Sequence, residues 1–247
     1  MGRRLGLLAC RCAAAAAAQR PPVLLYHSVG GPGGVSARAF TRQIEYLVHR
    51  FRTLVLSDLP ETVRAAPEGW RGVACVTFDD GYRDNIEVAL PVLEAFGVPA
   101  TFFLVPSLLG ATFRAGHPVM SALQARELLA LGHEIGAHSL THPRLTQVGD
   151  EQAQREIAGS KARLEDLLGV EVRAFAYPKG DHDGRVRALV AASGYRVAAT
   201  VREGLVDRYP DWLALPRISA RPSDSMLAFR CKLHPGIDLY ERLVRRT

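Results

Sequence analysis

Two adjacent carboxylates follow an apolar segment of strand length. Asp79 and Asp80 come directly after Val73–Phe78, and Gly81 follows them. Because neighbouring residues at the end of a strand can point in different directions, one carboxylate can bind a cation while the other takes a proton from water. The same residues also fit an ordinary turn, since Asp-Gly is a common turn sequence.

Two histidines form the second chemically suggestive group. His138 and His142 lie four residues apart, so both imidazoles can reach one ion. Two histidines and one carboxylate, with positions left open for water, are typical of a catalytic metal site. A metal held by Asp80, His138 and His142 would polarise a carbonyl and lower the pKa of a bound water to about 7. Asp79 would then be the general base of an amide or ester hydrolase. Zn²⁺ suits these ligands, and Co²⁺ or another divalent metal is compatible with them.

The segments that must position these residues alternate between strand-like and helix-like patterns. The predicted strands are Val23–Tyr26, Thr53–Leu56, Val73–Phe78, Ala100–Val105, Glu134–His138, Ala174–Tyr177, Arg196–Val201 and Leu213–Ile218. The predicted helices are Ala37–His49, Asp84–Phe96, Ser121–Leu131, Asp150–Leu168, Arg185–Ala192, Ser223–Leu233 and Ile237–Arg245. This alternation predicts an α/β fold, a distorted or incomplete (β/α) barrel, in a single domain spanning residues 21–247.

Polar residues follow four of the predicted strands where each strand ends. His27, the Asp79–Asp80 pair, His138 and Lys179 all occupy such positions. In parallel α/β barrels, active sites assemble at the carboxyl ends of the strands. We therefore expect these side chains to lie at one rim.

The motifs resemble those of the polysaccharide deacetylase family, the chitin-deacetylase-like carbohydrate esterases. The matching segments are Thr77–Gly81, Ala100–Leu104, Gly132–His138 and His138–Pro143, within a resemblance covering Pro22–Leu233. It implies a distorted (β/α) barrel that removes N- or O-acetyl groups from glycans. It also implies Asp79 as base and Asp80, His138 and His142 as metal ligands.

The third motif of that family corresponds here to Phe175–Gly180. It departs from the family pattern, because Ala176 stands where an arginine is usual. Lys179 is predicted to supply the missing positive charge, or its backbone N–H to bind the oxyanion. Tyr177 is a further candidate for substrate binding. Arg217, at the end of a predicted strand, is expected to contact Asp79 or the substrate.

Two histidines are candidates for the acid that protonates the leaving amine. Leu233-His234 fits the pattern of many relatives, but a helix predicted up to Leu233 would not place His234 at the strand rim. His27 follows an N-terminal strand, as in relatives similar to the biofilm glucosamine-polymer deacetylases, and is the preferred candidate.

The predicted substrate is an acetylated glycan or polysaccharide, gripped by rim loops such as Pro106–Pro118. Two alternatives remain open: a metal-dependent hydrolase of a small non-glycan amide, and an inactive glycan-binding module. The net charge of +6 is spread along the chain, and no nucleic-acid-binding motif is present, so nucleic acid is not an expected partner. The sequence does not indicate the oligomeric state.

The first residues resemble a targeting segment. Met1–Gln19 has two early arginines, an apolar stretch and an alanine run, but Arg11 interrupts the apolar part. Residues 1–20 are therefore interpreted as a leader. If it is a signal segment, the protein belongs to the cell envelope or is secreted; otherwise it is cytoplasmic. No transmembrane helix is predicted.

Overall fold

Seven parallel strands close into a barrel in the computed structural model, which describes residues 20–65, 72–114, 116–207 and 209–233. In barrel order the strands are β1 (Val23–Tyr26), β3 (Val73–Phe78), β4 (Thr101–Leu104), β7 (Glu134–Ala137), β8 (Ala174–Ala176), β9 (Val197–Glu203) and β10 (Leu215–Ser219). Pairing of β10 with β1, and of β1 with β3, closes the ring. A short strand, β2 (Arg52–Thr53), pairs with the start of β3. The predicted (β/α) barrel is therefore confirmed, and it is closed.

Alternate residues of each strand face two different cores. On β8, Ala174 and Ala176 belong to a small inner cluster, whereas Phe175, and Tyr177 just beyond the strand, belong to the larger cluster that packs against the helices. This alternation is the ordinary two-residue period of a strand. Residues that share the inward phase can therefore meet inside the barrel.

Helices cover the outside of the barrel. They are α1 (Ala37–Val48), α2 (Leu59–Ala65), α3 (Leu90–Phe96), α4 (Ala122–Ala130), α5 (Asp150–Leu168), α6 (Gly184–Ala192) and α7 (Met226–Lys232). Ser121 caps α4 in a reciprocal capping box with Gln124. None of the helices in the described ranges is long and apolar enough to cross a membrane.

Four sequence-based predictions need correction or lie outside the described residues. The strand predicted at Thr53–Leu56 is shorter and starts earlier, at Arg52–Thr53, because the chain leaves the sheet after Thr53 and turns at Leu56–Asp58 into α2. The Leu56 N–H donates to the side-chain hydroxyl of Thr101 at 2.9 Å, and not to the backbone of a neighbouring strand. The helix predicted at Asp84–Phe96 begins with a π-helical turn at Asn85–Ala89. Met1–Gln19 and the helix predicted at Ile237–Arg245 are not among the described residues.

The predicted loop after β4 contains a small hairpin. Its strands are β5 (Thr112–Phe113) and β6 (His117–Pro118), which pair antiparallel. Met120 N–H donates to the Gly81 carbonyl at 2.9 Å, and Arg83 N–H donates to the Pro118 carbonyl at 2.8 Å. These bonds tie the hairpin to the loop that carries Asp79 and Asp80.

Candidate active site

Asp80, His138 and His142 meet at the carboxyl ends of β3 and β7. The Nε2 atoms of His138 and His142 lie 3.6 and 3.4 Å from the same Asp80 oxygen, Oδ1. All three side chains are buried, and one ligand atom from each falls within 4.8 Å of the others. The structure thus brings together the three residues that the sequence predicts as metal ligands.

The donor set fits a divalent metal. Both carboxylate oxygens of Asp80 are buried, and neither accepts a hydrogen bond from the described residues. A buried carboxylate without donors is costly, and a bound cation removes that cost. The Nδ1 of His138 lies 2.7 Å from the Ala176 carbonyl, so Nδ1–H donates there and Nε2 is left as the metal-binding atom.

Burial and neighbouring positive charge also prepare His142 for this role. Burial, with His138 and Arg114 adding to it, lowers the pKa of His142 to about 4, although the charge of Asp80 opposes the shift. The imidazole is therefore neutral near pH 7. Neutral imidazole is the form that binds a metal.

The backbone at the site adopts conformations that are unfavourable for these residue types. Asp80, Ser139 and His142 have φ angles of 70°, 60° and 67°. Each such residue costs on the order of 1–3 kcal/mol, and such strain clusters at functional sites. The Ser139 hydroxyl accepts from the His142 N–H at 2.9 Å and so holds part of this loop.

Glu156, a residue that the sequence analysis missed, fixes the rest of the loop from α5. Its buried carboxylate accepts from the Thr141 N–H at 2.8 Å and from the Thr141 hydroxyl at 2.6 Å. Its carbonyl accepts from the Leu140 N–H at 3.0 Å. Thus α5 sets the position of the segment between the two histidines.

Asp79 lies beside the Asp80–His138–His142 cluster, in a buried ion pair with Arg217. The guanidinium donates to Oδ1 and Oδ2 of Asp79, both at 2.7 Å. It also donates to the Thr200 carbonyl and the Thr77 hydroxyl. Burial by itself raises the pKa of the Asp79 carboxyl, but the Arg217 and His138 charges outweigh burial and hold it well below its ordinary value. Arg217 therefore makes one of the two contacts predicted for it.

His27 is exposed at the end of β1. Its carbonyl accepts from the buried Asn85 side chain at 2.7 Å, which fixes the backbone at this point. His27 is also near enough to Asp79 for its charge to help lower the pKa of that carboxyl. The competing candidate, His234, lies outside the described residues.

Tyr177 and Lys179, the two candidates that follow β8, lie in different environments. Lys179 is exposed at the rim, with a φ of 60°. Tyr177 is fully buried in the outer core, and its hydroxyl donates to the Leu213 carbonyl at 2.8 Å. A fully buried side chain cannot contact a glycan, so the substrate-binding role predicted for the Tyr177 side chain is not supported. The charge beside Asp79 comes from Arg217 rather than Lys179.

Comparisons with known proteins agree with this geometry. The family model described as "Polysaccharide deacetylase" matches residues 68–198, just over half of the chain. A Bacillus subtilis protein named "Putative polysaccharide deacetylase YxkH" is 26% identical over 211 residues, which cover 84% of this chain and 74% of that protein. The "Poly-beta-1,6-N-acetyl-D-glucosamine N-deacetylase" of Staphylococcus epidermidis is 27% identical over 195 residues, 74% of this chain and 67% of that protein.

Solved structures share the barrel. The Streptococcus pyogenes deacetylase PplD, in complex with acetate, superposes with a TM-score of 0.78 at 23% identity, covering 87% of this chain and 99% of that one. IcaB from Ammonifex degensii gives a TM-score of 0.77 at 24% identity, covering 87% and 97%. At these identities the likeness concerns the fold.

Proposed function

The chain belongs to the polysaccharide deacetylase family, and on this premise we propose that it is a metal-dependent hydrolase that removes acetyl groups from an N-acetylated polysaccharide or glycan. The observation that carries the proposal is the buried Asp80 carboxylate, which has no hydrogen-bond donor and lies beside two histidine nitrogens. Next to it, Arg217 holds a second carboxylate, Asp79, in its ionised form.

Asp80, His138 and His142 would hold the metal, and we propose Zn²⁺ as the ion that this donor set suits best. When bound, a divalent metal polarises the acetamide carbonyl and makes a water molecule more acidic. The chain's own contribution is a rigid set of ligands. His138 is oriented by the Ala176 carbonyl and His142 by a loop anchored on Glu156.

Asp79 is proposed as the general base. Its two bonds to Arg217 keep the carboxylate ionised at neutral pH and fix the plane in which it can accept a proton. Arg217 does not face solvent, so it acts on the reaction through Asp79.

His27 is proposed as the acid that protonates the leaving amine. It is exposed at the same rim, and it lies near enough to Asp79 for its charge to lower the pKa of that carboxyl. The backbone N–H of Lys179 is proposed to stabilise the oxyanion of the tetrahedral intermediate. Its position in the turn after β8, at the rim, supports that role.

Acetate release from N-acetylglucosamine oligomers and acetylated polymers tests the proposal. The purified protein is treated with chelator and then supplied with Zn²⁺ or Co²⁺. We expect release to require metal and to fall by about 10²–10⁴-fold in Asp79→Asn, while the bound metal is retained. The matched control is Asp166→Asn, which changes an exposed aspartate on α5 and should leave release unchanged.

Release that persists after metal removal or in Asp79→Asn would contradict the mechanism. Stoichiometric metal without release from any acetylated sugar would instead support a hydrolase of small amides. Absence of bound metal would support a glycan-binding module.

A further inference from the structure

Arg114 occupies the turn of the β5–β6 hairpin, above the candidate metal ligands. Two backbone hydrogen bonds fix the stem of the hairpin to the loop that follows β3. Met120, just after β6, donates its N–H to the Gly81 carbonyl of that loop, and Arg83 of the loop donates its N–H to the Pro118 carbonyl of β6. The ring of Phe113 packs against His142 with 5.3 Å between the ring centres. The hairpin therefore forms one wall of the site and carries a permanent positive charge at its turn.

The guanidinium of Arg114 faces the site on one side and solvent on the other. Its Nη2 lies 3.2 Å from Nδ1 of His142, and its Nη1 lies 3.9 Å from Oδ2 of Asp80. The group lies 4.9 Å from the centre of the Phe113 ring. The side chain is nevertheless 44% exposed, so a molecule entering the site can reach it.

Two other arginines near the rim have acidic partners of their own. Arg144 pairs with Asp181, and Arg221 pairs with Glu203. Within the described part of the chain, the acidic side chain found within ion-pair distance of Arg114 is Asp80. The segments 105–120 and 138–149, which form the adjoining walls, contain no Asp or Glu.

In the proposed function Asp80 no longer serves as the partner of Arg114, because the positive charge of a metal bound to Asp80 would neutralise the negative charge of its carboxylate. A guanidinium does not lose its proton in proteins, so Arg114 would then face a divalent cation and need an anion from elsewhere. Guanidinium groups bind carboxylates and phosphates through two parallel hydrogen bonds.

We propose that Arg114 binds an anionic substituent, a carboxylate or a phosphate, on the glycan beside the acetylated sugar. This inference rests on the proposed function and narrows it, since the substrate class becomes an acidic acetylated glycan. The net charge of +6 favours the approach of such a polymer.

Paired substrates test the role of Arg114. Acetate release is measured on neutral N-acetylglucosamine oligomers, on oligomers of equal length in which the neighbouring sugar carries a carboxylate, and on oligomers in which it carries a phosphate. The wild type should prefer one acidic series, and the preferred series identifies the source of the anion. Raising the salt concentration should weaken that preference.

Variants locate the preference at Arg114. Arg114→Met should lower kcat/KM on the preferred acidic series, chiefly through KM, by about tenfold or more beyond any loss on the neutral series, so that the preference itself is lost. Arg114→Lys should retain part of the preference. The matched control is Arg163→Met, which removes one exposed charge from α5 and should affect neither series.

Equal losses on neutral and acidic substrates in Arg114→Met, or a wild type without preference, would overturn the inference. If the wild type releases no acetate from any series, the proposed function fails by itself. Calorimetric titration of wild type and Arg114→Met with the deacetylated acidic oligomers then decides the role of Arg114. Weaker binding to Arg114→Met supports the role, and equal binding rejects it.

Discussion

Replacing Arg217 with methionine should destabilise the protein strongly at neutral pH. Arg217 donates to both oxygens of Asp79 at 2.7 Å, and the two side chains are only 0% and 2% exposed. Methionine keeps a similar length but leaves the carboxylate buried without its counter-ion. Removing one partner of a buried pair costs about 3–5 kcal/mol. We therefore expect the free energy of unfolding to fall by about that amount at pH 7.

The loss should depend on pH in a direction that the ion pair fixes. In the wild type the pKa of folded Asp79 lies below its unfolded value. The pair therefore stabilises the fold above the unfolded pKa, and that contribution is lost as pH falls through the folded pKa. In Arg217→Met, burial is no longer outweighed, so the pKa of folded Asp79 should rise above the unfolded value of about 4. The difference between the two proteins should therefore be largest at pH 7 and smaller near pH 4, where protonation of Asp79 relieves the variant while the wild type still keeps its ion pair.

Urea unfolding of the metal-free proteins at these two pH values measures both effects. The control is the double variant Asp79→Asn/Arg217→Met, which buries no charge at this position. It should be more stable at pH 7 than Arg217→Met alone. The amount by which its free energy of unfolding falls below that of the wild type should be about the same at both pH values. A loss below about 1 kcal/mol at pH 7, or an equal loss at both pH values, would refute the assigned role of the pair.

Two further substitutions separate support of the site from support of the fold. Glu156→Gln removes a charged acceptor from both Thr141 hydrogen bonds, so urea unfolding should show a loss of about 1.5–3 kcal/mol. Metal titration should also show weaker affinity; unchanged affinity would mean that the loop holds His142 without Glu156. Ser121→Ala breaks the capping box of α4 and should cost about 1 kcal/mol with kcat/KM unchanged. A loss of activity in that variant would show that α4 influences the site.

The barrel and the centre of the site could be predicted because both depend on local patterns. Apolar segments of strand length, each followed by an amphipathic helix, indicate parallel strands, and the structure confirms seven of them in a closed ring. Asp80 and His138 come within two residues of the ends of β3 and β7, and His142 lies four residues beyond His138. Parallel strands bring their carboxyl ends to one rim, so the meeting of these residues follows from the topology.

The residues that support the site could not be predicted in the same way. Glu156 lies in an amphipathic helix, where a glutamate is ordinarily solvated. Its burial against Thr141 depends on how α5 packs over the loop. The helix α2 was missed for a related reason, because Leu54 and Leu56 are both buried, as alternating strand residues would be, although the chain has already turned out of the sheet.

Ala176 and Arg217 show how a closed barrel can satisfy one electrostatic requirement from different strands. The side chain of Ala176, on β8, faces the inner core of the barrel, and the Ala176 carbonyl orients His138. Arg217 extends from β10 and donates both to the Thr200 carbonyl on β9 and to Asp79, which follows β3. Inward side chains of every strand point towards a common axis, so a guanidinium can reach the same carboxylate from more than one strand.

The loss of an arginine at position 176 therefore does not leave Asp79 without a counter-ion. Ala176 at that position is the sequence feature that would favour the inactive glycan-binding module over an enzyme. With Arg217 in place, Asp79 is held ionised next to the Asp80–His138–His142 cluster. A protein that only binds glycans has no chemical use for an ionised carboxylate beside such a cluster, whereas a hydrolase needs one to take a proton from water.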